Sequence, residues 1–105
     1  MILYVHMLRF EWDKAKNEVN KAKHGIDFET VQLVFDDPFC VTFVERSNDG
    51  EERWHAIGSI QTVIVLVVVH TYWLENSDEV IRIISARRAT RRERKLYAQA
   101  ITEET

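Results

Sequence analysis

The spacing of apolar residues in the first part of the chain predicts a strand followed by a helix. Residues 9–12 have the composition of a short strand, which residues 3–8 could extend backwards. Asp13 is a predicted N-cap, and the helix after it carries one narrow apolar stripe, made of Ala15, Val19 and Ala22. Gly25 is expected to end this helix, because glycine adopts the left-handed conformation of the C′ position without steric cost.

A second helix is predicted directly after the first, with Asp27 as its N-cap. Its apolar residues would lie on one face, made of Phe28, Val31, Val34 and Phe35. Asp37-Pro38 ends this helix, because a residue before proline avoids helical geometry.

The middle of the chain has the pattern of strands joined by short turns. Residues 39–45 are rich in β-branched and aromatic side chains, and residues 47–50 are a strong turn signal. In residues 53–60 the positions Trp54, Ala56 and Gly58 alternate with their neighbours as in a strand, and residues 61–62 are predicted to be a tight connection. Residues 63–69 are uniformly apolar, which predicts a central strand buried on both faces.

The end of the chain predicts one more strand and one more helix. Residues 75–79 are a predicted polar loop and residues 80–85 a further strand. Thr90 and Glu93 match a capping box, and the helix after it would turn inward Leu96, Tyr97, Ala100 and Ile101. The predicted order is β-α-α-β-β-β-β-α in a single domain, residues 1–105. Tight turns between the middle strands favour a mainly antiparallel sheet, and hence an α+β fold.

The composition excludes several classes of protein. The chain has 105 residues, of which 46% are hydrophobic, so it is not a disordered or collagen-like protein. The single cysteine, Cys40, excludes an internal disulfide and a cysteine-based zinc site. No histidine pair has the helical spacing of metal ligands, so no metal and no cofactor is expected. The longest apolar run falls short of the ~20 residues that cross a bilayer, and the first residues make a poor signal peptide, so a cytoplasmic protein without membrane contact is predicted.

The net charge of −3 does not by itself suggest a nucleic-acid partner. The charge is unevenly distributed, however, because residues 1–53 hold seven basic and eleven acidic residues. Residues 82–95 hold seven basic residues against one acidic residue, and six of the seven are arginine. This cluster is the feature that a functional hypothesis must explain.

The arginine cluster has more than one interpretation. A solvated helix face is the ordinary one. Cations at a helix N-terminus are disfavoured by the macrodipole, however, so Arg91 and Arg92 there are better explained by a bound anion. Guanidinium groups match phosphate in a bidentate geometry that lysine cannot offer. A phosphate-bearing substrate fits these observations, and an acidic protein partner fits them equally.

Few other side chains suggest chemistry. His70 ends the predicted central strand, where an imidazole could act as acid or base or could simply be hydrogen-bonded. Glu52 and Arg53 begin a strand after a turn and could equally be an exposed turn cluster. The tryptophans could stack on bases or pack at the rim of the core.

The ordered motifs of the chain resemble the BrnT family of toxins from about Leu8 to Ile101. The resemblance rests on Phe10-Glu-Trp-Asp13, Lys23-His24-Gly25, Asp37-Pro38, Glu52-Arg53, Ile57-Gly58 and Arg82-Ile-Ile-Ser-Ala-Arg-Arg-Ala89 with Glu93-Arg94 and Tyr97. It implies a RelE-like fold and an endoribonuclease of a type II toxin–antitoxin system. It also implies a BrnA-like antitoxin of the ribbon-helix-helix class, with operator DNA bound only through the toxin–antitoxin complex.

The expected mechanism is metal-independent RNA cleavage by attack of the 2′-OH on the adjacent phosphate. In this hypothesis Arg87 and Arg88 stabilise charge, Arg53 helps to hold the phosphate, His70 is the acid or base, and Glu52 is the reserve base. Flanking phosphates would be bound by Lys23, Arg91 and Arg92.

The chain departs from the family at two places. Relatives often have arginine near the end of the central strand, where this sequence has His70, and they tend to start near the equivalent of Met7. Residues 1–7 are therefore expected to be an N-terminal extension. Two alternatives stay open: a catalytically weak module that binds an antitoxin and helps it to repress DNA, and a housekeeping RNA-binding domain.

Overall fold

The elements of the chain follow the order that the sequence predicts. The computed structural model describes residues 7–61 and 63–104. Its elements are β1 (Leu8–Trp12), α1 (Lys14–His24), α2 (Phe28–Val31), a 3₁₀ helix (Gln32–Asp36), β2 (Val41–Arg46), β3 (Glu52–Ile60), β4 (Ile64–Glu75), β5 (Asp78–Arg88) and α3 (Arg91–Glu104). The predicted α+β class and order are confirmed. Residues 1–6, most of the predicted N-terminal extension, and Thr62 lie outside the described residues.

Within the described residues the strands form one sheet in the order β1-β5-β4-β3-β2. β1 runs parallel to β5, and the other three pairs are antiparallel, so the predicted mainly antiparallel sheet is confirmed. The centre of β4 is fully buried at Leu66, Val67 and Val68, as expected of a strand covered on both faces.

One face of the sheet, the helix-covered face, packs against α1, α2 and the 3₁₀ helix. The core between them contains Phe28, Val31, Val34, Ala56, Leu66, Val68, Ile81, Ile83 and Ala86. The 3₁₀ helix approaches β3 so closely that a Cβ at Gly58 would lie 2.8 Å from Val34 Cγ1. Only glycine at this position permits that contact.

On the opposite face, the open face, the helix that packs among the described residues is α3, at one end. Tyr97 and Ile101 of α3 pack there near Ile57 and Val67. Asp37 fastens this end, because its Oδ2 accepts hydrogen bonds from the Tyr97 hydroxyl at 2.5 Å and from the Ser59 N–H at 2.8 Å. The remaining length of the face carries the polar side chains described below.

The predicted caps are confirmed. Asp13 Oδ1 accepts the Lys16 N–H at 3.0 Å, and Asp27 Oδ1 accepts the Thr30 N–H at 2.8 Å. Gly25 ends α1 in the left-handed conformation, with φ at 72°. The capping box of α3 is also formed.

The apolar stripe predicted for α1 is not buried, which corrects the sequence interpretation. Val19 is 64% exposed, whereas Asn20 on the neighbouring face is 5% exposed. β1 ends at Trp12, opposite Ile83, so the rest of β5 has a free edge on that side, and α1 packs against β5. The Asn20 Oδ1 accepts the Ala86 N–H at 3.0 Å, and its Nδ2 donates to Ile26 O at 3.0 Å. A buried amide therefore supplies the partner that a strand would have supplied.

Three other boundaries differ from the predictions. The polar segment predicted as a loop is a hairpin, with Asn76 and Ser77 at positive φ, so β4 and β5 extend along each other to Glu75 and Asp78. The second helix continues as a 3₁₀ helix, and Leu96, predicted inward, is 44% exposed. No helix in the described ranges is long and apolar enough to cross a membrane.

A β-bulge interrupts the pairing of β4 with β5. Val69 pairs with Ser85 and His70 pairs with Ile83, which leaves Ile84 as the extra residue. A bulge of this kind reverses the alternation of side chains beyond it.

Candidate functional site

The pleat of three strands brings polar residues together on the open face. His55 on β3 lies in register with Val69, which lies in register with Ser85. Ile57, Val67 and Arg87 form the next row toward α3. Arg53 lies two residues before His55 and therefore on the same face, on the other side of the His55 row.

Arg53 and the His55 row border a groove of about 440 Å³ on the open face, the open-face groove. Its lining is formed by Glu45, Arg46, Ser47, Asn48, Arg53, His55, Val69, Ile84 and Ser85. Because the lining combines a guanidinium, an imidazole and a carboxylate, it has groups that can bind an anion and transfer a proton.

His55 is the central side chain of this groove, and sequence reasoning missed it. Its ring stacks on Phe43 with centroids 5.0 Å apart and an interplanar angle of 4°. Its Nε2 lies 3.5 Å from Glu45 Oε2. Its Nδ1 and the Nε of Arg53 are buried without a hydrogen-bond partner among the described residues. Two residues that line this groove therefore each have a nitrogen atom that makes no hydrogen bond to a described residue.

Arg87 is held rigidly at the α3 end of the open face. Its Nη1 donates to Glu93 Oε1 at 2.7 Å and its Nη2 to Glu93 Oε2 at 2.9 Å. This bidentate bond, opposed by burial and aided by Thr90, lowers the pKa of Glu93 to about 2. The same bond raises the pKa of Arg87. Arg87 is therefore fixed in place, and its charge is largely compensated.

The other predicted cations lie away from the open-face groove. Arg88 on β5 is in register with Leu66 on β4, and both lie on the helix-covered face. The Arg88 side chain borders a cleft that Gly25 and Asp27 also line. Arg91 and Arg92 are exposed in the first turn of α3. Within the described ranges no carboxylate pairs with any of these three arginines.

Lys23 lies at the end of α1, where it borders a second groove that Ile84 and Ser85 separate from the first. Arg53 and Arg87 thus share one face of the sheet, whereas Lys23 and Arg88 do not lie in the same groove with them.

His70 faces the opposite side of the sheet from the open-face groove. It is 3% exposed and contacts the edge of Phe35, with ring centroids 5.1 Å apart. Burial lowers its pKa, so the imidazole is neutral at pH 7. Its Nδ1 lies 3.2 Å from Thr71 O, which places the proton on Nδ1 and leaves Nε2 as an acceptor with no hydrogen bond to a described residue.

Glu52 also lies outside the groove. Its Oε1 accepts a hydrogen bond from Arg46 Nη2 at 3.1 Å, and both side chains are more than half exposed. Among the described residues, no group of three or more His, Cys, Asp or Glu side chains could hold a metal ion.

Comparisons with known proteins agree with this architecture. The model of a family described as the ribonuclease toxin BrnT of type II toxin–antitoxin systems matches residues 12–93. The chain is also similar to the Brucella abortus ribonuclease toxin BrnT, known from a crystal structure at 1.1 Å resolution. The two are 28% identical with a TM-score of 0.57, over 81% of this chain and 99% of that one. No curated protein matches the chain.

Proposed function

The chain belongs to the BrnT family of ribonuclease toxins of type II toxin–antitoxin systems, and we propose that its open-face groove cleaves RNA. The reaction is a metal-independent attack of a ribose 2′-OH on the adjacent phosphate. The observation that carries this proposal is that Arg53 and His55, which line one groove, each have a buried nitrogen atom with no hydrogen bond to a described residue. The nucleophile belongs to the substrate, so the protein has to orient it, move protons and stabilise charge.

Arg53 binds the scissile phosphate in this proposal. Its side chain borders the groove, and no carboxylate in the described part of the chain pairs with it. A guanidinium with free N–H donors can follow the phosphate as a further negative charge develops on its oxygens. Arg87 adds charge stabilisation from the next row of the sheet, at a position that Glu93 holds constant.

His55 is the acid or base in this proposal. The Glu45 carboxylate near its Nε2 would stabilise the imidazolium that forms when the ring takes a proton, and Nδ1 makes no hydrogen bond to a described residue that would compete for this role. The stacked Phe43 ring, which is 39% exposed, offers a surface for a base beside the scissile bond. His70 as acid or base and Glu52 as reserve base stay predictions, and both side chains lie outside this groove.

The exposed cations bind flanking phosphates in this proposal. Arg88, Arg91 and Arg92 form one stretch at the junction of β5 and α3, and Lys23 is exposed at the end of α1. They would position the RNA without taking part in the reaction.

The antitoxin partner follows from the family. Its ribbon-helix-helix class and the binding of operator DNA only through the complex are proposals drawn from the resemblance, as is action in the cytoplasm, where RNA is available.

One observation favours the alternative of a catalytically weak antitoxin-binding module. The Arg87 guanidinium is already bound by Glu93, so less free positive charge faces the substrate than the sequence suggests. An RNA-cleavage assay separates the two functions, because only the nuclease requires turnover.

The test is cleavage of a defined RNA by the purified free protein, with and without excess chelator. We expect fragments that end in a 2′,3′-cyclic phosphate and a 5′-hydroxyl, at the same rate with chelator. His55→Gln and Arg53→Ala should each slow cleavage by about 10²-fold or more. Lys14→Ala, an exposed cation on α1, is the matched control for the loss of one charge.

Two results would overturn the proposal. Absence of cleavage by the wild-type protein would favour the alternative function. Loss of cleavage in His70→Gln together with full activity in His55→Gln would move the acid or base to the other face of the sheet.

A further inference from the structure

A second groove lies on the helix-covered face, beyond the end of the 3₁₀ helix, and the proposed chemistry does not use it. This aromatic groove has a volume of about 370 Å³. It is lined by Phe35, Thr42, Trp54, His70, Tyr72 and Ile81. The rings of Trp54 and Tyr72 meet edge to face with centroids 6.1 Å apart, which fixes one wall. Its size suits one large side chain rather than a solvent channel.

The aromatic groove contains a polar atom that lacks a partner. His70, which is 3% exposed, lines it, and the Nε2 of this side chain makes no hydrogen bond to any described residue. Its Nδ1 is engaged with Thr71 O, so Nε2 can only accept. A buried acceptor without a hydrogen bond destabilises the free protein, and an occupant with an N–H or O–H donor would satisfy it.

The groove is continuous with exposed apolar side chains on the same face of the sheet. Val44 is in register with Trp54 and is 44% exposed. Leu74 is two residues beyond Tyr72 and is 67% exposed. Val44 and Leu74 stay exposed among the residues that the structure describes, and contiguous apolar surface of this kind marks an interaction site.

The charge around the groove favours a protein segment over RNA. Among the described residues that line it, none is a lysine or an arginine. The Tyr72 hydroxyl, which lines the groove, donates to Glu79 Oε1 at 2.8 Å, so a carboxylate lies beside it. A phosphate backbone would meet no cation in the described lining, whereas an apolar segment with basic flanks would be complementary to Glu79.

We propose that the aromatic groove is a docking site for the antitoxin, which inserts an aromatic side chain with a hydrogen-bond donor, Trp or Tyr. The ring fills the space between Phe35, Trp54 and Tyr72, and its N–H or O–H donates to His70 Nε2. Basic residues of the same segment lie toward Glu79, and apolar residues cover Val44 and Leu74. Aromatic anchors of this kind dominate the free energy of many interfaces.

This proposal rests on the antitoxin that family membership implies and not on the cleavage chemistry of the open face. Docking on the helix-covered face leaves the open-face groove physically separate, so the two proposals can fail independently.

The test is the affinity of purified toxin variants for the antitoxin encoded in the same operon, measured by titration calorimetry. Thr42→Arg would fill the aromatic groove with a charged side chain, and Val63→Arg, in the β3–β4 turn, is the control for adding an arginine at an exposed position. We expect Thr42→Arg to weaken binding at least about tenfold and Val63→Arg to change it less than about twofold. Leu74 is well exposed, so Leu74→Lys and Leu74→Glu are not expected to disturb the fold, and they form a second pair of variants. The glutamate variant should bind a basic segment more tightly than the lysine variant.

A spectroscopic readout tests the hydrogen bond directly. The ¹⁵N resonance of His70 Nε2 should shift when the antitoxin binds, and the shift should be absent in the Thr42→Arg protein.

Two results would overturn the proposal. Equal antitoxin affinity for Thr42→Arg and Val63→Arg would show that the groove is not the docking site. Unchanged antitoxin affinity with weakened RNA binding in Thr42→Arg would assign the groove to RNA instead. If the wild-type protein does not cleave RNA, the measurements of antitoxin binding and of RNA binding still test this proposal.

Discussion

The pairing of Arg87 with Glu93 shows how a cationic residue in a predicted binding cluster can be structural. Glu93 accepts hydrogen bonds from both terminal nitrogens of Arg87 and from the N–H of Thr90, the residue before α3. One carboxylate therefore joins the last strand to the last helix and caps the helix at the same time. Its side chain is 17% exposed, so water screens the pair only in part.

Glu93→Gln should lower the free energy of unfolding by about 1–2 kcal/mol at pH 7. Glutamine keeps the capping geometry but removes the charge that binds Arg87. Because the pKa of Glu93 is lowered from 4.5 to about 2 on folding, its contribution is present above pH 4.5 and lost as the pH falls towards 2. Urea unfolding between those pH values should show a flatter pH dependence in the variant, and Glu103→Gln on the same helix should behave like the wild type.

Asn20 is the other residue whose role is visible only in the structure. Asn20→Ala leaves the Ala86 N–H buried without an acceptor, so the free energy of unfolding should fall by about 2–3 kcal/mol. Hydrogen exchange of the Ala86 amide should accelerate together with this loss. Glu18→Ala, an exposed substitution on the same helix, should change stability by less than about 0.5 kcal/mol. Unchanged exchange at Ala86 would contradict the role assigned to Asn20.

At the residue scale the sequence predicted the caps well and the candidate site in part. A cap depends on two or three neighbouring residues, so Asp13 and Asp27 can be recognised locally. His55 could have been found from its two-residue spacing from Arg53, which puts both on one face of a strand. The location of His70 depends on which face the helices cover, and no local pattern determines that.

At the element scale the order of helices and strands could be predicted, whereas their packed faces could not always be. The stripe of α1 failed as a guide because this helix lies along a strand edge, where a hydrogen-bond acceptor is needed more than apolar area. The β4–β5 hairpin was underestimated because Asn76 and Ser77 form its turn without the glycine that usually marks one.

The contact between β3 and the 3₁₀ helix gives a prediction at this scale. Gly58→Ala should lower the free energy of unfolding by about 1–3 kcal/mol, because the new methyl group overlaps Val34 Cγ1. The same substitution should cost less in a Val34→Ala background, which removes that atom. Thermal melts of the two single variants and the double variant measure this coupling, and strict additivity would count against a direct clash.

The whole molecule separates its charges more clearly than the net value of −3 suggests. The open-face groove has Arg46 and Arg53 in its lining, whereas the described lining of the aromatic groove on the other face contains no lysine or arginine. This separation was predictable from the uneven distribution of charge along the chain. Which face of the sheet carries each charge depends on the register of the strands, which the sequence alone does not give.

Binding of single-stranded RNA should therefore weaken steeply with salt. Each phosphate contact contributes about 0.7 to the slope of log K against log salt concentration. Arg92→Ala should reduce that slope by about this amount, and Lys14→Ala should leave it unchanged. Fluorescence titrations at several salt concentrations measure the slope, and an equal slope for both variants would remove Arg92 from the RNA path.

The bulge at Ile84 determines which residues share a face. Arg82 and Arg87 are an odd number of positions apart, yet their partners Thr71 and Val67 lie on the same side of β4. Without the extra residue the two arginines would point in opposite directions. Deletion of Ile84 would therefore exchange the inward and outward residues of half the strand at once. Lineages that retain a cationic open face should accordingly tolerate substitution at position 84 far better than any change in the length of this segment.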